Sequence, residues 1–257
     1  MESITSAQNP KLKNLLLLQE KSKARREQGL FVVEGRREIQ HCLEGGFEID
    51  TLFLCEEIAG NPGLDIPHTI TLPRALYEKA SYRGSTEGMI AEVRIKERRL
   101  EDLRLPENPL IIVLESVEKP GNIGAVLRSA DAAGADALLI CDPLTDLWNP
   151  NLIRASLGAV FTVPAVACSS AEAISFLKAR GISILTAQLQ DSELYYDTPM
   201  TGGTALVMGT ESTGLTSQWR EAATAHIRIP MNGKLDSLNV SVSAAILLFE
   251  AVRQRSL

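Results

Sequence analysis

From Ile229 the chain reads IPMNGKLDSLNVSVSAAILLFEAVRQ, a loop crowded with Asn232, Gly233, Asp236, Ser237 and Asn239 that runs straight into an apolar helix. Side chains that both donate and accept hydrogen bonds, gathered at a helix N-terminus, build a site for a polar ligand. The same residues also read as a well-capped C-terminal helix, with Ser237 or Asn239 at the N-cap. Two upstream segments weigh against capping alone. GNIGAVLRSADAAGADALLI, Gly121–Ile140, offers Asn122 at a helix start and Arg128 farther along that helix. ALVMGTESTGL, Ala205–Leu215, is an apolar strand followed by a loop with Gly209, Glu211 and Gly214. No metal is expected, because His41, His68 and His226 are scattered and no His/Cys/carboxylate cluster forms in the sequence.

The elements that must position these residues are legible from periodicity. Leu110–Leu114 is a continuous apolar run, which suits a strand buried on both faces of a parallel sheet. Asn122 can cap the next helix, whose Ile123, Val126, Leu127 and Ala130 share a face; Gly134 closes it, and Ala137–Cys141 is the following strand. Ser183–Ala187, Thr204–Met208 and Ile227–Ile229 read as further strands, and the alternation implies an α/β domain with a mostly parallel sheet. Neither glycine loop is a standard nucleotide cradle. The first has only Gly121 and Gly124 instead of G-x-G-x-x-G, and the second has Leu215 and Thr216 where a P-loop needs Lys and Ser/Thr.

Taken together, NIGAVLRSA (Asn122–Ala130), LVMGTESTGL (Leu206–Leu215) and IPMNGKLDSLNVSVSAAILLFE (Ile229–Glu250) resemble, in order, the three motifs of the SpoU (TrmH) family of RNA ribose methyltransferases, within the SPOUT class. Phe31–Glu57 is similar, more loosely and mainly through Glu34 and Gly35, to the small substrate-binding domain that often precedes the methylase domain. The resemblance implies a trefoil knot, an exception to the rule that chains do not thread loops. It implies S-adenosylmethionine as methyl donor, a ribose 2′-hydroxyl of RNA as acceptor, ribosomal RNA ahead of tRNA, and a homodimer paired through the C-terminal domain. The implied organisation is an RNA substrate-binding domain over residues 1–99, a linker over 100–108 and the methyltransferase domain over 109–257.

The resemblance also assigns roles. Leu206, Gly209, Ile229, Met231, Gly233, Ser237 and Leu238 would hold the methyl donor, Gly209 because a Cβ would keep the backbone from the ligand. Arg128, Asn122, Glu211, Ser237 and Asn239 would form the catalytic set. A guanidinium holds its proton, so Arg128 suits a clamp on the target phosphate, with Asn122 touching the substrate or bracing Arg128, and Glu211 anchoring Arg128 or a neighbouring loop. Thr213 departs from the basic residue the family often carries there, which removes one phosphate contact.

Composition sets the remaining bounds. A chain of 257 residues suits one large or two modest domains. No apolar run approaches the ~20 residues that cross a bilayer, and Leu15–Leu18 is too short for a secretory segment. Cys42, Cys55, Cys141 and Cys168 are widely spaced, as expected of reduced thiols in a cytoplasmic protein. The net charge of −6 disfavours nucleic acid, but Lys11, Lys21, Lys23, Arg25, Arg26 and Arg36 concentrate positive charge near the N-terminus, along an expected helix from Pro10 to about Gln28. Those residues could track an RNA backbone or merely solvate a helix face. An RNA-binding or ribosome-assembly factor that kept the fold without turnover is the alternative to an enzyme.

Overall fold

Asn9 starts the first helix by accepting a hydrogen bond from Lys11 N, with Pro10 preset at the first helical position. The computed structural model describes residues 2–82, 87–210, 212–235 and 237–256. In chain order the first elements are β1 (Glu2–Ser3), α1 (Pro10–Glu20), α2 (Ser22–Gln28), β2 (Leu30–Glu34), α3 (Arg36–Glu44), β3 (Ile49–Leu54), α4 (Glu56–Ala59), β4 (Thr69–Thr71), α5 (Arg74–Ala80) and β5 (Met89–Arg94). They are followed by β6 (Leu110–Glu115), α6 (Pro120–Ala132), β7 (Ala137–Cys141), α7 (Pro150–Ala155), α8 (Ala159–Thr162), β8 (Ala165–Cys168), α9 (Ser170–Ala179) and β9 (Ser183–Ala187). The last are β10 (Glu193–Leu194), β11 (Thr204–Met208), α10 (Ser217–Ala222), β12 (Ala225–Arg228) and α11 (Val240–Arg255).

The expected single helix from Pro10 to Gln28 is two helices. Lys21 is extended, and the break exposes carbonyls that a buried guanidinium satisfies. Arg25, 2% exposed, donates from Nη1 to Leu18 O at 2.6 Å and Gln19 O at 3.2 Å. Arg25 therefore braces the helix junction and presents no charge to RNA, which corrects its expected role. Lys11, Lys21, Lys23 and Arg26 remain exposed, with Lys11 paired to Glu2 at 2.5 Å, Lys21 to Glu20 at 3.9 Å and Lys23 to Glu27 at 3.7 Å.

The chain forms two compact units, one of residues 1–96 with 148–162 and one of residues 97–147 with 163–257. The first holds a mixed five-stranded sheet in the order β1-β4-β3-β5-β2. Its second segment is tied in by aromatic packing: the Trp148 ring stacks on Phe31 at 4.4 Å between centroids, and Phe161 meets Phe47 edge-on at 5.2 Å. Burial pushes the Cys42 thiol in this unit up to about 12, so it stays protonated and inert.

The second unit holds a seven-stranded sheet, β10-β12-β9-β11-β6-β7-β8, in which all pairs are parallel. Every residue of β6, β7 and β11 is buried, as the apolar runs predict. The chain moves outward from β6 through β7 to β8, then crosses to the other side and inserts β11 beside β6. The carboxyl ends of β6 and β11 thus form a topological switch point, where parallel sheets place ligands. Two expectations shift here. The strand at Ile227–Ile229 is Ala225–Arg228, which leaves Ile229 in the following loop. The expected linker carries a short 3₁₀ turn, Leu100–Asp102, with Leu100 and Leu103 buried in the core of this unit.

Glu92 on β5 is 6% exposed and accepts from Asn14 Nδ2 at 3.3 Å. Burial pushes its carboxyl up to about 7, so the folded chain binds a proton that the unfolded chain has released. That contribution is complete below the unfolded value of 4.5 and is lost as pH rises through about 7. Urea denaturation from about pH 5 to about pH 8 should show wild type losing up to about 3 kcal/mol relative to Glu92→Gln. A pH-independent difference between the two would contradict the buried-acid assignment.

Candidate active site

Two helix N-termini meet at the switch point of the second unit. Asn239 is the N-cap of α11, its Oδ1 accepting from Ser241 N at 3.0 Å and Ser241 Oγ at 2.6 Å. Its Nδ2 donates to Asn122 Oδ1 at 3.3 Å, so the first and third motifs are joined across 117 residues of chain. Asn122 was expected as the cap of α6, but that helix starts at Pro120 with Lys119 in the cap position. The Asn122 side chain is thereby released from capping and turned to Asn239. Arg128 is exposed on the same helix. Six residues from Asn122 it stands about 240° around the axis, so the two do not share a face.

The loop after β11 is held by its own backbone. Thr210 bridges to Gly214, and Thr210 Oγ1 lies 2.7 Å from Thr213 Oγ1. A Cβ on Gly209 would come within 2.4 Å of the Gly214 carbonyl. Glycine is therefore required at 209 by this close approach inside the loop, a steric reason independent of any ligand. Glu211 and Asp236 lie outside the described residues.

The far end of that loop is fixed by a buried carboxylate that sequence reasoning passed over. Glu115, the last residue of β6, is 2% exposed. Its Oε2 accepts from Thr216 N at 2.9 Å and its Oε1 from Thr216 Oγ1 at 2.6 Å. Beside it, the Ser170 hydroxyl donates to Asp142 Oδ2 at 2.6 Å and accepts from Trp219 Nε1 at 2.9 Å. The available signal was Glu115 itself, the only charge closing an otherwise apolar strand.

The loop from Ile229 to Asn239 supplies the remaining candidates. Ile229 and Met231 are half-buried, while Gly233, Ser237 and Leu238 are exposed. Leu206 is fully buried in β11, paired on both sides by β6 and β9, and so packs beneath the site. The described residues of this loop lie outside helix and strand, with apolar Ile229, Met231 and Leu238 beside polar Asn232, Ser237 and Asn239. Such a surface fits a ligand with a flat aromatic end and a polar charged end, as S-adenosylmethionine has. No group of three or more metal-ligating side chains occurs among the described residues.

A family model described as the SpoU rRNA methylase family matches residues 109–249. The chain belongs to the SpoU rRNA methylase family. A second model, an MRM3-like substrate binding domain, matches residues 9–91. A 23S rRNA guanosine-2553 2′-O-methyltransferase of Bacillus subtilis is 27% identical over 97% of this chain and 98% of its own. A 23S rRNA guanosine 2′-O-methyltransferase of Vibrio cholerae is 37% identical over 71% of this chain and 76% of its own. Among solved structures, an RNA 2′-O ribose methyltransferase superposes with a TM-score of 0.87 at 40% identity, covering 99% of this chain and 100% of its own. An AdoMet-bound rRNA methyltransferase from Sinorhizobium meliloti gives 0.89 at 28% identity, covering 98% and 97%. The expected α/β architecture with its parallel sheet is thus that of the SpoU enzymes.

Removing the Glu115 carboxylate leaves both Thr216 donors without their acceptor. Glu115→Ala should cost about 2–3 kcal/mol of stability and weaken S-adenosylmethionine binding severalfold, with Thr216→Val costing less. Denaturation and calorimetric titration measure the two effects, and unchanged values for both would remove Glu115 from the site.

Proposed function

We propose that this protein transfers a methyl group from S-adenosylmethionine to a ribose 2′-hydroxyl of large-subunit ribosomal RNA. The observation that carries this reading is the meeting of Asn122 and Asn239 at the carboxyl ends of β6 and β11. Support for ribosomal RNA, ahead of tRNA, comes from relatives that match nearly the whole chain and carry such names. When bound, the methyl donor supplies an activated methyl on a sulfonium centre, so the protein's task is positioning. The loop residues Ile229, Met231, Gly233, Ser237 and Leu238, with Gly209 shaping the neighbouring loop, would hold it. Ser237 and Asn239 would orient donor and acceptor. Arg128 would clamp the target phosphate and fix the hydroxyl in line. Glu211 would complete the catalytic set. Lys11, Lys21, Lys23, Arg26 and Arg36 would track the RNA backbone through phosphate contacts.

Incubation with ribosomal RNA and S-adenosylmethionine in chelator should yield a 2′-O-methylated ribose at an unchanged rate. Arg128→Ala should keep both ligands and lose at least a hundredfold in kcat, because its contact matters at the transition state. Normal turnover by Arg128→Ala would refute the clamp. Binding of RNA without any transfer would favour the assembly-factor alternative.

We also propose a homodimer formed through α11, and the trefoil knot of the class in the segments around it. Supporting the first, Val242 and Phe249 are 47% and 49% exposed and frame half-buried Ala245 and Ile246, an apolar stripe at helical spacing. Supporting the second, α11 returns to pack on α6 and β11 after the two loops. A cytoplasmic setting suits the unbonded sulfurs of Cys141 and Cys168, 3.9 Å apart. Sedimentation should find a dimer at micromolar concentration and a monomer for Val242→Glu/Phe249→Glu; a monomeric wild type would refute the interface.

A further inference from the structure

The first unit contains a cleft of about 270 Å³ whose lining includes Glu34, Arg37, Tyr82, Glu87 and Arg154. Within that lining, Glu34 Oε2 accepts from Tyr82 N at 2.9 Å. The other oxygen, Oε1, is buried and has no hydrogen-bond partner among the described residues. A carboxylate oxygen removed from water without a donor is costly, and a ligand carrying N–H groups relieves the cost. The rest of the lining narrows the ligand. Arg37 and Arg154 are exposed cations, but Arg37 pairs with Glu38 at 3.1 Å and Glu87 adds a further carboxylate to the lining, so it is Arg154 that stands to meet an anionic chain. The Tyr82 ring is 41% exposed and offers a face for stacking.

A nucleobase meets all of these conditions, and the bases differ in fit. Uracil offers one N–H between two carbonyl oxygens, which a carboxylate repels. Adenine and cytosine place a donor next to an acceptor. Guanine alone presents two adjacent donors, N1–H and the N2 amine, and adds O6 and N7 acceptors that suit an arginine. We propose that this cleft binds an unpaired guanine of the substrate RNA through Glu34, as a contact additional to the methylated nucleotide. The proposal rests on reading the protein as an RNA methyltransferase, and it extends that reading to one base of the substrate.

The test uses the full-length protein without methyl donor and fluorescein-labelled uridine nonamers whose central nucleotide is guanosine, inosine, adenosine or uridine. Anisotropy at fixed salt should show the guanosine nonamer binding about tenfold more tightly than the adenosine and uridine ones. Inosine, which lacks the N2 amine, should lose most of that gain. Glu34→Gln should bring the guanosine nonamer within about twofold of the uridine one and leave the uridine nonamer unchanged. Equal binding of all four nonamers by the wild type, which needs no variant, would overturn the proposal. So would a Glu34→Gln loss shared equally by all nonamers, which marks a scaffold role. Glu34-dependent capture of an arginine-rich nonapeptide with no base preference would also overturn it, making the cleft a protein-docking site. Methyl transfer to ribosomal RNA, measured alongside, separates the two readings: activity without guanine preference overturns the cleft assignment alone.

Discussion

A carboxylate buried at the end of a central strand governs the geometry of this site. Glu115 is too enclosed to be left unpaired, and its partners are the backbone N–H and hydroxyl of Thr216, a hundred residues later in the chain. That pairing fixes the end of one site loop to the end of β6. At the loop's other end, Gly209 lies so close to the Gly214 carbonyl that no side chain fits. Between these two constraints the loop has little freedom, and the neighbouring helix N-termini are joined by Asn122 and Asn239. A site held in this way has its groups in place before a ligand arrives, which is where a positioning enzyme gains its rate.

Much of this was legible in the sequence. Apolar runs located β6, β7 and β11, and the β9 strand at Ser183–Ala187 follows the expected bounds. The three motifs fall on α6, on the loop after β11 and on the loop before α11, because glycine, asparagine and serine cluster where backbone must bend and hydrogen-bond. What escaped was set by tertiary contact. The break at Lys21 depends on Arg25 folding back to cap α1, and nothing local distinguishes Arg25 from exposed Arg26. Likewise, the close approach of the Gly214 backbone to Gly209 arises only through the loop's fold. The buried network of Glu115, Ser170 and Trp219 draws on three separate segments, none with a pattern of its own.

Charge shows the same division between composition and placement. The acidic total hides a positive N-terminal face, and within that face burial removes one arginine while Lys11 keeps an exposed pair with Glu2. The acids are no more uniform. Glu92 is driven toward its neutral form by burial beside Asp50, whereas the Glu250 carboxyl on α11 is lowered from its ordinary value by its hydrogen bond with the Arg253 guanidinium. Identical side chains thus do opposite things according to what surrounds them.

The placement of residues 148–162 in the first unit bears on how the chain is made. Trp148 and Phe161 complete an aromatic cluster with Phe31 and Phe47, yet they are translated only after β6 and β7 of the other unit. A nascent chain therefore cannot finish its first core before starting its second, and the early apolar surface must wait several seconds at ordinary elongation speeds. During that interval Phe31 and Phe47 lack their final partners, so this stretch of synthesis is when the chain is most exposed to misassociation. The two units are interleaved in the order of synthesis, and neither can be built by simply stopping or starting the ribosome at one boundary.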